Sequence, residues 1–301
     1  MSSPGIFAVF LRLELDVSHS SARTAATGLA LLLGLGAAGS AAAQATPGKR
    51  QPVPAELVKV ALVADTTHVR PGKKLTVAVR FDIAPGWHIY WENPGEAGLA
   101  TEAAISAPAG YEVGAVRFPG PDRFQTPGET AASYGYSEAA VVSSSVAAPA
   151  RAGEPARFSV QASWLACRDV CVRGKGTASL ELPIAGKKAS AKPANEDLFR
   201  RHREALPRAF SELGAAQRWE RDARGARLVV GVKRADRIEY FPPTGEDLQL
   251  VGQAAAPGKD GASELRLSYK PGFKPARARG VLAVTRGAER RYYALNLEEK
   301  P

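Results

Sequence analysis

Cys167 and Cys171 are the two cysteines of this 301-residue chain, with Arg168, Asp169 and Val170 between them. Thiols at this spacing have three uses: a static disulfide, two ligands of a soft metal, or exchange of electrons with other thiols and disulfides. Run as one extended strand, the segment would hold the two Cα atoms about 13 Å apart at roughly 3.3 Å per residue. A bridge needs about 4.4–6.8 Å. Bonding therefore requires a turn at Arg168-Asp169-Val170, as a tight hairpin or a single helical turn. So small a ring restrains little of the unfolded chain, about 2 kcal/mol by loop entropy. That is weak value as a staple and suits a bond that is opened and closed, since exposed or strained disulfides are the labile ones. A static disulfide remains the alternative.

A metal centre fits less well. Two thiolates need two further ligands, and beyond the N-terminal region the chain offers only His68, His88 and His202. The single methionine is Met1, so copper buffering by the chain itself is not expected. His88 is the histidine of most interest, because an imidazolium beside a thiolate speeds exchange; the plainer reading is a strand residue satisfied by a backbone carbonyl. Asp169 and Glu92 stand as further groups able to tune a thiol, or as turn and surface residues. Trp87, Trp91 and Trp164 read as packing. The sequence has no Ser/His/Asp arrangement, P-loop or glycine-rich dinucleotide fingerprint, and no cofactor is expected.

The elements that must position the cysteines are strands. Leu57–Leu62 alternates, and Leu75–Phe81 is β-branched and alternating, with Pro71-Gly72 as the turn between. Trp87–Trp91, Ala139–Val146, Arg157–Leu165 and Gly176–Leu182 follow. Short strands between Pro/Gly turns, with no helical period among them, predict a β-sandwich over 55–185. The period changes after Pro183. Asn195 is the expected N-cap of a helix of about three turns, in which Leu198, Phe199, His202 and Leu206 recur before Pro207. This gives a helical linker over 186–214. The dense run Arg200, Arg201, His202, Arg203, Arg208 lies beside Glu196, Asp197 and Glu204, and mixed charge of this kind reads as a solvated face. Strand patterns resume at Arg227–Val232, Arg237–Tyr240, Asp247–Gly252, Glu264–Tyr269, Gly280–Thr285 and Tyr292–Leu297. They predict a second, smaller β domain over 215–301, without cysteine, in a structural or partner-facing role. The whole is an all-β chain.

Net charge is +10, but the basic residues do not gather into one patch, so no nucleic-acid partner is expected. Arg23 precedes an apolar run through Leu29, Leu31, Leu32, Leu33 and Leu35 to Ala38. Ala41-Ala42-Ala43 or Ala43-Gln44-Ala45 then offers small residues for cleavage. Residues 1–45 thus read as a secretory signal with an upstream extension, in which Glu14 and Asp16 point to a start site set too far upstream. The run falls short of the roughly 20 residues that a membrane span requires. Residues 46–54, rich in Pro, Lys and Arg, read as a flexible arm. An exported, periplasmic protein that does not itself span the membrane is expected, with its cysteines in an oxidising compartment.

Four fragments in register carry a resemblance: Pro85–Leu99 (PGWHIYWENPGEAGL), Phe118–Asp122, Tyr134-Gly-Tyr136 and Trp164–Cys171 (WLACRDVC). Together they resemble the N-terminal periplasmic domain of the DsbD/ScsB thiol–disulfide interchange proteins. The Arg227–Leu297 segment, with Tyr240-Phe-Pro-Pro243, more loosely resembles the β region that follows in ScsB-like members. The resemblance implies an immunoglobulin-like sandwich that takes electrons from a thioredoxin-like domain and hands them to oxidised periplasmic proteins. It implies Cys171 as the interchange cysteine and Cys167 as the resolving one. His88 and Tyr90 match the aromatic positions flanking the pair, and Phe124 the covering aromatic of a cap spanning Asp122–Tyr134. Two departures are plain. The DsbD version has five residues between its cysteines where this chain has three. Full-length members also continue into a membrane region and a thioredoxin-like domain, so a separate thioredoxin-like protein or DsbD-like membrane donor is expected here.

Overall fold

The computed structural model describes residues 53–125, 132–151, 155–186, 190–223, 225–245, 250–258, 261–272 and 277–298. The expected signal, nearly all of the arm, residues 126–131 of the expected cap and residues 247–249 of one expected strand lie outside them.

A four-residue helix, α1 (Pro54–Leu57), leads into the first β region. Its strands are β1 (Val58–Ala64), β2 (Lys74–Ile83), β3 (His88–Gly95), β4 (Glu102–Ser106), β5 (Glu112–Val113), β6 (Asp122–Phe124), β7 (Ser133–Ser137), β8 (Ala139–Ala147), β9 (Ala156–Cys167) and β10 (Cys171–Leu182). One sheet runs β1-β2-β8-β5. The facing sheet runs β10-β9-β3-β7-β6, with β4 also paired to β9. Alternation decides what each sheet buries. Along β9, Ala156, Phe158, Val160, Ala162, Trp164 and Ala166 turn inward and Arg157, Ser159 and Gln161 turn outward. The inward set packs on Val77, Val79, Phe81, Val142 and Val146 of the opposite sheet. This is the β-sandwich expected from the pattern, of the immunoglobulin-like kind that the resemblance implied.

Helix α2 (Glu196–Ala205) follows. Asn195 stands at its N-cap in the left-handed region (φ 53°) and makes no capping bond. Its side chain instead donates to the Ala64 carbonyl at 2.9 Å, tying the helix start to β1. The capping expectation is corrected in that respect. Phe199 and His202 face inward and are buried, while Arg200, Arg201 and Arg203 face solvent. The buried His202 ring meets Ser143 Oγ of β8 at 2.7 Å through Nε2. The helix is thus fastened to the sandwich along its length.

The second β region contains β11 (Arg208–Ala209), a 3-10 turn (Phe210–Leu213), β12 (Ala216–Asp222), β13 (Gly225–Lys233), β14 (Arg237–Phe241), β15 (Leu250–Pro257), β16 (Ala262–Tyr269), β17 (Arg277–Arg286) and β18 (Glu289–Glu298). Two four-stranded sheets, β11-β18-β17-β14 and β12-β13-β16-β15, enclose a second core around Leu228, Val230, Leu265, Leu267, Leu282 and Leu295. Strand β14 breaks the alternation, because Tyr240 and Phe241 are both buried. Tyr240 belongs to the second core, whereas Phe241 enters the first and meets Trp91 and Tyr134 edge-on. Asn93, buried in β3, donates to the Pro242 carbonyl at 2.7 Å. No helix among the described residues is long and apolar enough to cross a membrane.

Candidate functional site

Strands β9 and β10 form one long antiparallel hairpin, paired from Ala156–Leu182 to Cys167–Cys171. Its tip is the segment Arg168-Asp169-Val170, closed by the Arg168 N–H donating to the Val170 carbonyl at 3.1 Å. Of the two turns that the spacing allowed, the hairpin is the one formed. The two Cα atoms come to 4.1 Å and the sulfurs are joined in a disulfide. Both strands are longer than their expected segments, Arg157–Leu165 and Gly176–Leu182, and carry the pairing up to the cysteines.

The two cysteines differ in exposure. Cys171 is exposed at the start of β10, whereas Cys167 is only 3% exposed. Cys167 ends the apolar Trp164-Leu165-Ala166 run, but that run is not what buries it. Strand parity puts Cys167 on the outward face of its sheet, with Arg157 and Gln161, while Trp164 and Ala166 point into the core. Something on the outer face must cover it.

The cover comes from the neighbouring strand. Cys167 pairs across to His88 of β3, and Ala166 to Ile89. Ile89 and Trp91 point into the core, so His88 and Tyr90 stand on the outer face with Cys167. Tyr90 donates its hydroxyl to Cys167 Sγ at 3.2 Å and is itself buried. The His88 ring meets Tyr90 edge-on at 5.3 Å and stacks on Phe124 of β6 at 4.6 Å and 17°. The five residues singled out by sequence and resemblance, Cys167, Cys171, His88, Tyr90 and Phe124, therefore occupy one patch. Gly98 completes it: at φ 108° its Cα lies so near the Tyr90 ring that a Cβ there would come within 2.3 Å. Only glycine permits that approach.

Electrostatically the patch is close to neutral. Burial lowers the His88 pKa below its usual 6.5 and raises that of Tyr90. The imidazole therefore leans toward its uncharged form, and the phenol stays a donor. At the tip, Arg168 stacks over Trp87 at 5.1 Å and pairs with the exposed Asp169 at 3.0 Å. Glu92 lies farther along β3, where its carbonyl accepts from Thr244 Oγ1 of the second region. His68 bonds Thr67 Oγ1 and His202 bonds Ser143, so neither stands at the cysteines. Among the described residues no group of three or more His, Cys, Asp and Glu is placed to hold a metal ion.

A hydrogen-bonded buried sulfur joined to an exposed one, at the end of a hairpin, is a geometry able to break and re-form its bond with an incoming thiol. Comparison with known proteins points to the same chemistry. Residues 55–183 match the family described as thiol:disulfide interchange protein DsbD, N-terminal. The N-terminal periplasmic domain of ScsB from Proteus mirabilis superposes with a TM-score of 0.57 at 15% identity, over 81% of this chain and 95% of that one. At this identity the likeness speaks for the fold, and it extends well past the family match into the second β region. The reduced DsbD N-terminal domain of Neisseria meningitidis aligns at a TM-score of 0.27 and 19% identity, over 48% of this chain and 96% of that one. No curated protein matches the chain. Over residues 55–183, less than half of its length, the chain is thus similar to the N-terminal domain of the thiol:disulfide interchange protein DsbD.

Proposed function

We propose that the protein is a periplasmic thiol–disulfide carrier that passes two electrons at a time through Cys167 and Cys171. The observation that carries this reading is the unequal exposure of the two sulfurs, one reachable and one covered and hydrogen-bonded. In the reduced protein the exposed Cys171 thiolate attacks a disulfide of an oxidised periplasmic protein. One substrate sulfur leaves as a thiol and a mixed disulfide forms. The Cys167 thiolate then attacks Cys171 Sγ, the Cys167–Cys171 bond forms, and the second substrate sulfur leaves, taking a proton. The substrate has gained two electrons and the carrier has lost two. A thioredoxin-like domain or a DsbD-like membrane donor restores the dithiol by the reverse sequence.

Burial disfavours the charged form of Cys167, and the Tyr90 hydroxyl offsets that cost by donating to the sulfur. Cys167 is thereby held ready for the resolving step while shielded from other partners. Export through the N-terminal signal would put this chemistry in the periplasm, the compartment of the ScsB domain that shares the fold. Equilibration with glutathione tests the proposal. A carrier should show a reduction potential above about −300 mV, and a value at or below that, the range of structural bridges, would count against it.

A further inference from the structure

Strand β6 carries Phe124 and is only three residues long, so its own pairing with β7 holds it weakly. The segment leading into it, Pro119-Gly120-Pro121, is nevertheless buried. Its contacts come from three directions. Tyr136 of β7 donates to the Pro119 carbonyl at 2.8 Å, and the Gly120 N–H donates to the Ala205 carbonyl at the end of α2. The third direction is the second β region. Tyr292 of β18 lies against Gly120, so close that a Cβ at that position would fall 1.9 Å from its ring. Next to it, Arg290 donates to the Pro121 carbonyl at 3.4 Å and pairs with Asp122 at 3.4 Å, its other partner being the buried Glu239 at 3.2 Å.

Asp122 and Phe124 are alternate residues of β6, opposite Gly135 and Ser133, on the outer face that Tyr90 and His88 share. From Arg290 the chain of contacts therefore runs through Asp122 and β6 to Phe124, to the stacked His88, and across the strand pair to Cys167. We propose that the second β region is the anchor of the redox site's cover: through Arg290 and Tyr292 it fixes β6, and so keeps Phe124 on His88 and Cys167 shielded. The inference rests on the carrier reading only for its purpose. A partner that pulls on β17–β18 would uncover the resolving cysteine, and one that leaves them alone would meet Cys171 alone.

The test needs no partner protein. In the full-length protein with Cys171→Ser, the rate at which iodoacetamide alkylates Cys167 is measured across pH, giving a plateau that reads access and a midpoint that reads acidity. Arg290→Gln should raise the plateau about fivefold or more, the gain expected when the anchor of a local opening is weakened, and leave the midpoint in place. Gly120→Ala, which displaces Tyr292 from the opposite side, should do the same, and Arg290→Lys should restore most of the shielding. In a Phe124→Ala background, where the cover is already lost, neither change should add anything. An unchanged plateau in both variants, or gains that persist undiminished without Phe124, would overturn the proposal. A static Cys167–Cys171 bond in the wild type would contradict the carrier reading and leave this result standing.

Discussion

Tyr90 and Cys167 are joined by a hydrogen bond of 3.2 Å on the outer face of a sheet whose inner face is the hydrophobic core. The sulfur that the fold could have buried among tryptophans and valines is buried beneath a phenol. The phenol can follow the sulfur through its charge states as the core cannot, because it donates to the thiolate and to the disulfide alike.

Tyr90→Phe keeps the ring and removes the donor. A hydrogen bond to a charged group is worth about 1.5–3 kcal/mol, so the Cys167 thiol pKa should rise by about one or more. Thiolate absorbance of the Cys171→Ser protein, titrated with and without Tyr90→Phe, measures it. Release of a mixed disulfide should slow about tenfold at neutral pH if the thiolate fraction limits resolution. An unshifted titration would mean that the bond does not bear on reactivity.

Gly98→Ala reaches the same residue from the other side. The added methyl meets the Tyr90 ring, and φ 108° is a conformation that alanine resists. A loss of about 1–3 kcal/mol in denaturant unfolding is expected, together with a raised Cys167 pKa as Tyr90 is displaced. An equal loss of stability with an unshifted thiol would place the strain elsewhere.

His202 makes stability depend on acid. Burial first, then the nearby charges of Arg117 and Arg203, push its folded pKa down to about 4 from the usual 6.5. Between these values the unfolded chain binds the proton and the folded chain does not. The contribution of this site is therefore whole above about pH 6.5 and is lost as pH falls toward 4. The total is on the order of 2 kcal/mol, allowing for partial solvent screening. Urea midpoints at pH 7, 5.5 and 4 measure it, and His202→Gln should flatten this part of the profile.

What could be read in advance divides along physical lines. Strand alternation sufficed for the sandwich because one face of each sheet is buried and the other wet, as in β9. The cysteine spacing demanded a turn but could not choose between a hairpin and a helical turn, since that depends on the pairing of β9 with β10 over 12 residues each. His88, Tyr90 and Phe124 came from the family resemblance. No periodicity brings β3 and β6 together, because β7 lies between them in the sheet and is far along the chain.

The contacts between the two β regions were missed altogether. Arg290, Tyr292 and Phe241 each meet residues of the first β region more than 100 positions away. One sign was present. Tyr240 and Phe241 are adjacent large aromatics in a strand, which alternation cannot bury on one face, and two cores are needed to take them. Helix α2 likewise read as a connector, and the inward turn of His202 onto Ser143 shows it instead to be packed against the sandwich.

Trapping of the mixed disulfide shows whether the pair exchanges and which cysteine does so. Cys167→Ser and Cys171→Ser proteins are each mixed with a thioredoxin-like protein that keeps only its attacking cysteine, activated as a disulfide with 2-nitro-5-thiobenzoate as the leaving thiolate, and the covalent adduct is read on a non-reducing gel with the linked cysteine mapped by mass. Cys167→Ser should accumulate adduct through Cys171, because nothing remains to resolve it, and Cys171→Ser, with only a covered thiol, should trap little. Adduct formed chiefly through Cys167 would reverse the assignment of the two cysteines, and no adduct with either variant would contradict the carrier itself.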